Sequence, residues 1–199
     1  MNSENQPAPL KLFMLLLGSK APGRHVEQHD FFFGIARNLR DLVPDIKNFW
    51  RGVGASLHID GWREVNSVDN YKVEVIEKEG DLPEMAEKLF FINLGGYQAK
   101  KLEEQHYTVL TVQTDRALAI QQSKKSVFFR TNTIDGMKGA NSHIDDKYGI
   151  DVDDIYRIED ILSPDQKAQY HIQITPKEGL PEDKIHLGYF KLDKLPDNY

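Results

Sequence analysis

Four of the seven histidines of this 199-residue chain fall in two short patterns, each occurring twice. The first pattern is E-x-H, at Glu27-His29 and Glu104-His106; the second is H-x-D, at His58-Asp60 and His143-Asp145. Neutral imidazoles and carboxylates are ligands for zinc, manganese, nickel or iron. With one coordination position left open, such an ion acidifies water or polarises a carbonyl. The metal candidates are therefore His29, His58, His106 and His143. Glu27, Asp60, Glu104 and Asp145 complete a ligand-binding set, and a divalent transition metal is the cofactor such a set implies. The same groups can work without metal, with Glu27 and Glu104 as general bases and His29 and His106 as acid–base groups tuned by burial. A plainer reading has each histidine donate a ring N–H to a carboxylate across two strands, fixing the register of a sheet and nothing more.

No nucleophile stands out beside them. The chain has no cysteine, which excludes thiol enzymes, disulfide frameworks and Cys-ligated zinc. Ser19, Ser56 and Ser142 lie within two residues of glycine or histidine without a G-x-S-x-G elbow, and no glycine-rich phosphate motif is present. Asp145 through Asp154 is rich in aspartate but lacks the spacing of a calcium loop, and reads as a solvated turn.

The patterns sit in elements that also recur. Leu12-Phe13 to Gly18 aligns with Leu89-Phe90 to Gly95, and Glu27-Gln28-His29 with Glu104-Gln105-His106, both at an offset of 77. His58-Ile59-Asp60 aligns with His143-Ile144-Asp145, and Tyr71-Lys72-Val73-Glu74 with Tyr156-Arg157-Ile158-Glu159, at an offset of 85; the extra residues fall in a loop over 128–142. About a quarter of the aligned positions agree, against roughly one in sixteen for unrelated segments of average composition. A duplication follows.

Each copy reads as β-β-α-β-β. Leu12 to Leu17 is an apolar run stopped by glycine, and Val26 to Ala36 is a second strand in which Phe31, Phe32 and Phe33 require cover on both faces, from a helix or another subunit. Asn38, and Asp115 in the second copy, then cap helices, with Pro44 breaking the first one. Strands follow around His58 or His143 and over 71–77 or 155–161. Because residues i and i+2 on a strand share a face, each E-x-H and H-x-D pair points one way, and the pairs converge if their strands are neighbours.

The expected architecture is α+β, with two tandem β-β-α-β-β repeats related by a pseudo-twofold axis. A flexible arm over 1–9 precedes repeat units at 10–80 and 87–162. An extension over 163–199 adds strands at 170–175 and 186–192, and the units share one core. The net charge of −6 disfavours nucleic acid. The longest apolar run is too short for a membrane span, and the start of the chain lacks a basic n-region, so a cytoplasmic protein is expected. Its partners are a small-molecule ligand and, as the phenylalanine run suggests, a second copy of itself.

The L-F-x-x-x-L-G start, Glu27-Gln28-His29-Asp30, His58-Ile59-Asp60-Gly61-Trp62, the strand from Phe91 to Tyr97, Ser142 to Asp154 and Leu187-Gly188-Tyr189-Phe190 together resemble a bacterial family, domain of unknown function fifteen-forty-three. The resemblance covers most of the chain. It implies one or two copies of the domain and brings no activity, cofactor or catalytic residue, so the enzymatic question stays open between metal-assisted hydrolysis or isomerisation and a non-enzymatic interaction module.

Overall fold

A computed structural model describes residues 8–80, 85–97, 102–125 and 150–196. The protein is α+β and mostly antiparallel sheet. It begins with β1 (Lys11–Ser19), β2 (Gln28–Ala36), a 3-10 turn and α1 (Val43–Phe49), then β3 (His58–Glu64), β4 (Ser67–Val68) and β5 (Tyr71–Glu77). Next come β6 (Lys88–Tyr97), β7 (Glu104–Gln113), α2 (Arg116–Ser123), β8 (Ile150–Arg157) and α3 (Ile158–Ile161). It closes with α4 (Pro164–Gln169), β9 (Tyr170–Pro176) and β10 (His186–Lys191). Contacts divide the chain into two units, one made of residues 1–82 and 162–199 and the other of 83–161.

In the first unit β1 is central, paired antiparallel to β2 on one side and β3 on the other, with β10 on the outer edge of β3. The continuous apolar run explains that position, since a central strand is covered on both faces. Phe13, Leu15 and Leu17 pack with Leu39, Leu42 and Ile46 beneath the α1 segment, while Leu12 and Met14 are buried on the opposite face. Each fully buried leucine or phenylalanine contributes roughly 1.5–3 kcal/mol, enough to hold the β1 backbone as a rigid rail. Phe32 joins this core and its neighbour Phe33 is buried as well, so β2 is covered on both faces.

Asn38 caps the turn after β2, its Oδ1 accepting from the Asp41 N–H at 3.1 Å. The helical segment then changes from 3-10 (Leu39–Leu42) to α at Val43, with Pro44 in the first turn of α1, where its missing N–H costs nothing. The C-terminal strands belong to this unit: β9 pairs with β5 in a sheet of order β4-β5-β9. Buried Gln166 of α4 closes the edge of β2, accepting from the Ile35 N–H at 3.0 Å and donating to the Ile35 carbonyl at 3.1 Å. Burial lowers the pKa of the Arg63 guanidinium on β3, and the Asp183 carboxylate opposes the shift.

In the second unit β6 is central between β7 and β8. Phe90, Ile92 and Leu94 form the core with Ala119 of α2 and Ile155. Asp115 caps α2 by accepting from the Leu118 N–H at 2.9 Å, and without a proline the helix runs unbroken. Two expectations are corrected here. The aspartate-rich segment is not a turn throughout, because residues 150–157 form β8. The final strand over 155–161 does not exist as such, because β8 ends at Arg157 and Ile158–Ile161 is helical. His143, Asp145 and the loop over 128–142 lie outside the described residues.

Candidate functional site

Gly18, near the end of β1, is paired directly with His29 of β2 and with His58 of β3. Directly opposed residues of antiparallel strands share a face, so both imidazoles project from the sheet face on which Gly18 has no side chain. One residue further along β3 the register shifts: Leu17 pairs with Ile59 and Leu16 with Gly61, leaving Asp60 as the extra residue of a bulge. β10 breaks register at the same place, its pairs jumping from Leu187–Gly61 to Phe190–Ile59. A bulge re-aims a side chain without moving its neighbours. Ile59 and Trp62 therefore both stay in the core while Asp60 turns over Gly18.

The result is a compact polar group. His58 Nε2 lies 3.1 Å from Asp60 Oδ1 and 3.2 Å from Glu27 Oε1, and His29 Nε2 lies 3.1 Å from Asp60 Oδ2. These contacts are pairwise, and Asp60 turns a different oxygen to each histidine. A Cβ at Gly18 would collide with Asp60 Oδ2 and stand 2.6 Å from His58 Nε2, so glycine is what leaves room for the group.

His58 is the distinctive member. Its side chain is only 3% exposed, against 47% for His29 and 41% for Glu27. Its Nδ1 is 2.7 Å from the Ser56 carbonyl, which can only accept, so Nδ1 carries a hydrogen, and in the neutral form of the ring the lone pair is at Nε2. The Tyr189 ring lies on this imidazole at a centroid distance of 4.1 Å. Nε2 and Asp60 Oδ2 are buried yet make no aligned hydrogen bond, although carboxylate and imidazole atoms stand within ion-pair distance. An Nε2 without hydrogen would be an acceptor set beside two carboxylate oxygens, an arrangement that a proton or a cation among them relieves.

In the second unit Gly95 pairs with His106 of β7 and with Asp151 of β8. The same shift follows, between Asn93 and Leu94, and it leaves Asp153 as the extra residue. A Cβ at Gly95 would collide with the Asp153 carboxylate. Glu104, His106 and Asp153 each offer a ligand atom within 4.8 Å of the others. The individual spacings are longer than in the first unit, with His106 Nδ1 3.3 Å from Asp153 Oδ2 and Nε2 3.7 Å from Glu104 Oε2, and Asn93 Nδ2 3.3 Å from Nδ1, although among the described residues this is the trio whose single ligand atoms all lie mutually close.

Of the residues singled out in the sequence, Glu27, His29, His58 and Asp60 are neighbours in one unit and Glu104 and His106 in the other. Sequence reasoning missed Asp153, which occupies the Asp60 position, as Asp151 occupies the His58 position. The signal was there in the alternation Asp151-Val152-Asp153, which repeats polar-apolar-polar across Gly95 as His58-Ile59-Asp60 does across Gly18.

Fold and site define an α+β protein that displays His-carboxylate groups over a glycine on a central strand. Residues 24–75, from the loop before β2 into β5, match the family described as Domain of Unknown Function (DUF1543). In overall fold it is similar to a protein Il1583 from Idiomarina loihiensis, known from a crystal structure, with a TM-score of 0.61 and 20% identity over 92% of this chain and 98% of that one. No curated protein matches the sequence. Among the described residues, no helix is long and apolar enough to cross a membrane.

Proposed function

We propose that the first unit binds a divalent transition metal through Glu27, His29, His58 and Asp60, and that Glu104, His106 and Asp153 form a weaker counterpart in the second. The observation that carries this reading is the buried Nε2 of His58, with its other ring nitrogen tied to a backbone carbonyl and two carboxylates beside it but not on its hydrogen-bonding axis. Metal-bound histidines are oriented in this way by their second nitrogen. Asp60 presents one oxygen to each histidine, and two imidazoles favour zinc, nickel or iron over magnesium or calcium. Exposure of His29 and Glu27 gives water and small polar molecules access to the ion. A net charge of −6 accords with such a ligand better than with nucleic acid.

The test is elemental analysis of untagged protein, with thermal melts in added zinc, manganese, nickel and iron. Stoichiometric metal, or a raised melting temperature that His29→Ala plus His106→Ala abolishes, supports the site. Metal-free protein whose melting no ion shifts, with a variant that is merely less stable, would make these groups fold-stabilising pairs in an interaction module.

A further inference from the structure

The metal reading depends on one nitrogen of His58 being kept free of hydrogen, and a second layer of residues bears on that choice. Ser56 supplies the carbonyl that fixes Nδ1, and its own side chain is clamped. Ser56 Oγ donates to the Val53 carbonyl at 2.8 Å, across the 3-10 turn Gly54–Ser56, and lies 2.7 Å from Ser19 Oγ. A hydroxyl has a single hydrogen, so once Ser56 donates to Val53 the contact with Ser19 is made by the Ser19 hydroxyl. The chain of donors runs Ser19 to Ser56 to the Val53 carbonyl. Ser19 is fully buried and is the residue after Gly18 on β1, so the clamp joins the strand that floors the site to the turn that aims the carbonyl.

We infer that Ser19 and Ser56 are positioning residues, which hold His58 as the Nδ1–H tautomer and so present the Nε2 lone pair to the metal. The inference deepens the metal site proposed above and rests on it for its consequence, though not for its geometry. Neither serine touches the ion. The second unit lacks the arrangement on β6, where Gly96 stands at the register position that Ser19 holds on β1.

The experiment is long-range ¹⁵N–¹H spectroscopy of the histidine side chains in metal-free protein, followed by zinc titration, for wild type, Ser19→Ala, Ser56→Ala, the double variant and Ser56→Thr. Each alanine removes one hydroxyl from a small residue and leaves the Ser56-position carbonyl in the chain. His58 is expected as the Nδ1–H form in wild type and as a tautomer mixture in either alanine variant, with Ser56→Thr restoring the wild-type spectrum. Zinc affinity is expected to fall about 10-fold in each alanine variant. The double variant should lose no more than either single one, since both break one clamp. An unchanged His58 tautomer in both alanine variants overturns the inference, even if they melt earlier. A tautomer that shifts as expected in a protein that binds no zinc overturns the metal site instead and leaves the positioning role standing.

Discussion

The two units build the same three-strand frame and finish it differently. Both centre on a strand with a glycine near its end, both set a histidine of the next strand across from it, and both place an aspartate in a bulge over it. In the first unit a second imidazole, His58, completes the group and is almost wholly buried, whereas in the second Asp151 holds that register position. The side chain of His106 is half exposed, and its spacings reach 3.7 Å. The frame determines where the histidine and aspartate side chains can stand; on the proposed reading, the residue opposite glycine on β3 or β8, and the residue after that glycine, set how well they hold a metal.

The sharpest way to break the comparison is to neutralise the bulged aspartates. Asp60→Asn keeps the shape of a residue that faces both histidines and is expected to weaken zinc binding at the first site by about 100-fold, the upper end of what even an indirect ligand partner is worth. Asp153→Asn should leave the tight component of a zinc titration unchanged. Equal losses in the two variants would erase the distinction between units.

The glycines come next. Gly18→Ala forces a methyl into the Asp60 and His58 side chains and is expected to cost about 1–3 kcal/mol in denaturant unfolding as well as the tight site. The nearest atoms to a Cβ at Gly95 all belong to the partly exposed Asp153 carboxylate and not to a buried ring such as His58, so the cost of Gly95→Ala should be the smaller of the two. The smallest effect tests the shared scaffold. Asn38→Ala and Asp115→Ala each remove a capping acceptor and should each cost about 1 kcal/mol with metal affinity unaltered, because the caps are alike in both units. A metal effect from either would show that the helices, and not the strand frame, set the sites.

Much of this frame was legible in the residues. The glycine-terminated apolar runs, the E-x-H pairs at constant offset and both caps are local signals, written in residue type and spacing. So were the strands at 71–77 and 170–175, the second of which runs one residue further, to Pro176. Register was not legible. The match of His143-Ile144-Asp145 to His58-Ile59-Asp60 is exact in identity, yet the strand that pairs with β6 beside Gly95 begins at Ile150. Likewise Tyr156-Arg157 resembles Tyr71-Lys72, although one pair ends β8 against β6 and the other begins β5 against β9. Pairing is decided by which apolar residues reach the core, here Val152 and Ile155, and the strand that supplies them stands at an offset of 93 from β3 (151 − 58 and 153 − 60), not at the offset of 85 where the identities recur. The Ser56 carbonyl was invisible for another reason, since a backbone acceptor has no letter in the sequence.

The central claim is that His58 completes a metal site in the first unit, and calorimetric titration of metal-free protein with zinc tests it most directly. Wild type should show one tight site per chain followed by a weaker phase, and lowering the pH should weaken both, because protons compete for the imidazole nitrogens. His58→Gln should abolish the tight phase and leave the weak one. A wild-type protein that takes up no zinc, or a His58→Gln variant that binds it as wild type does, would contradict the account.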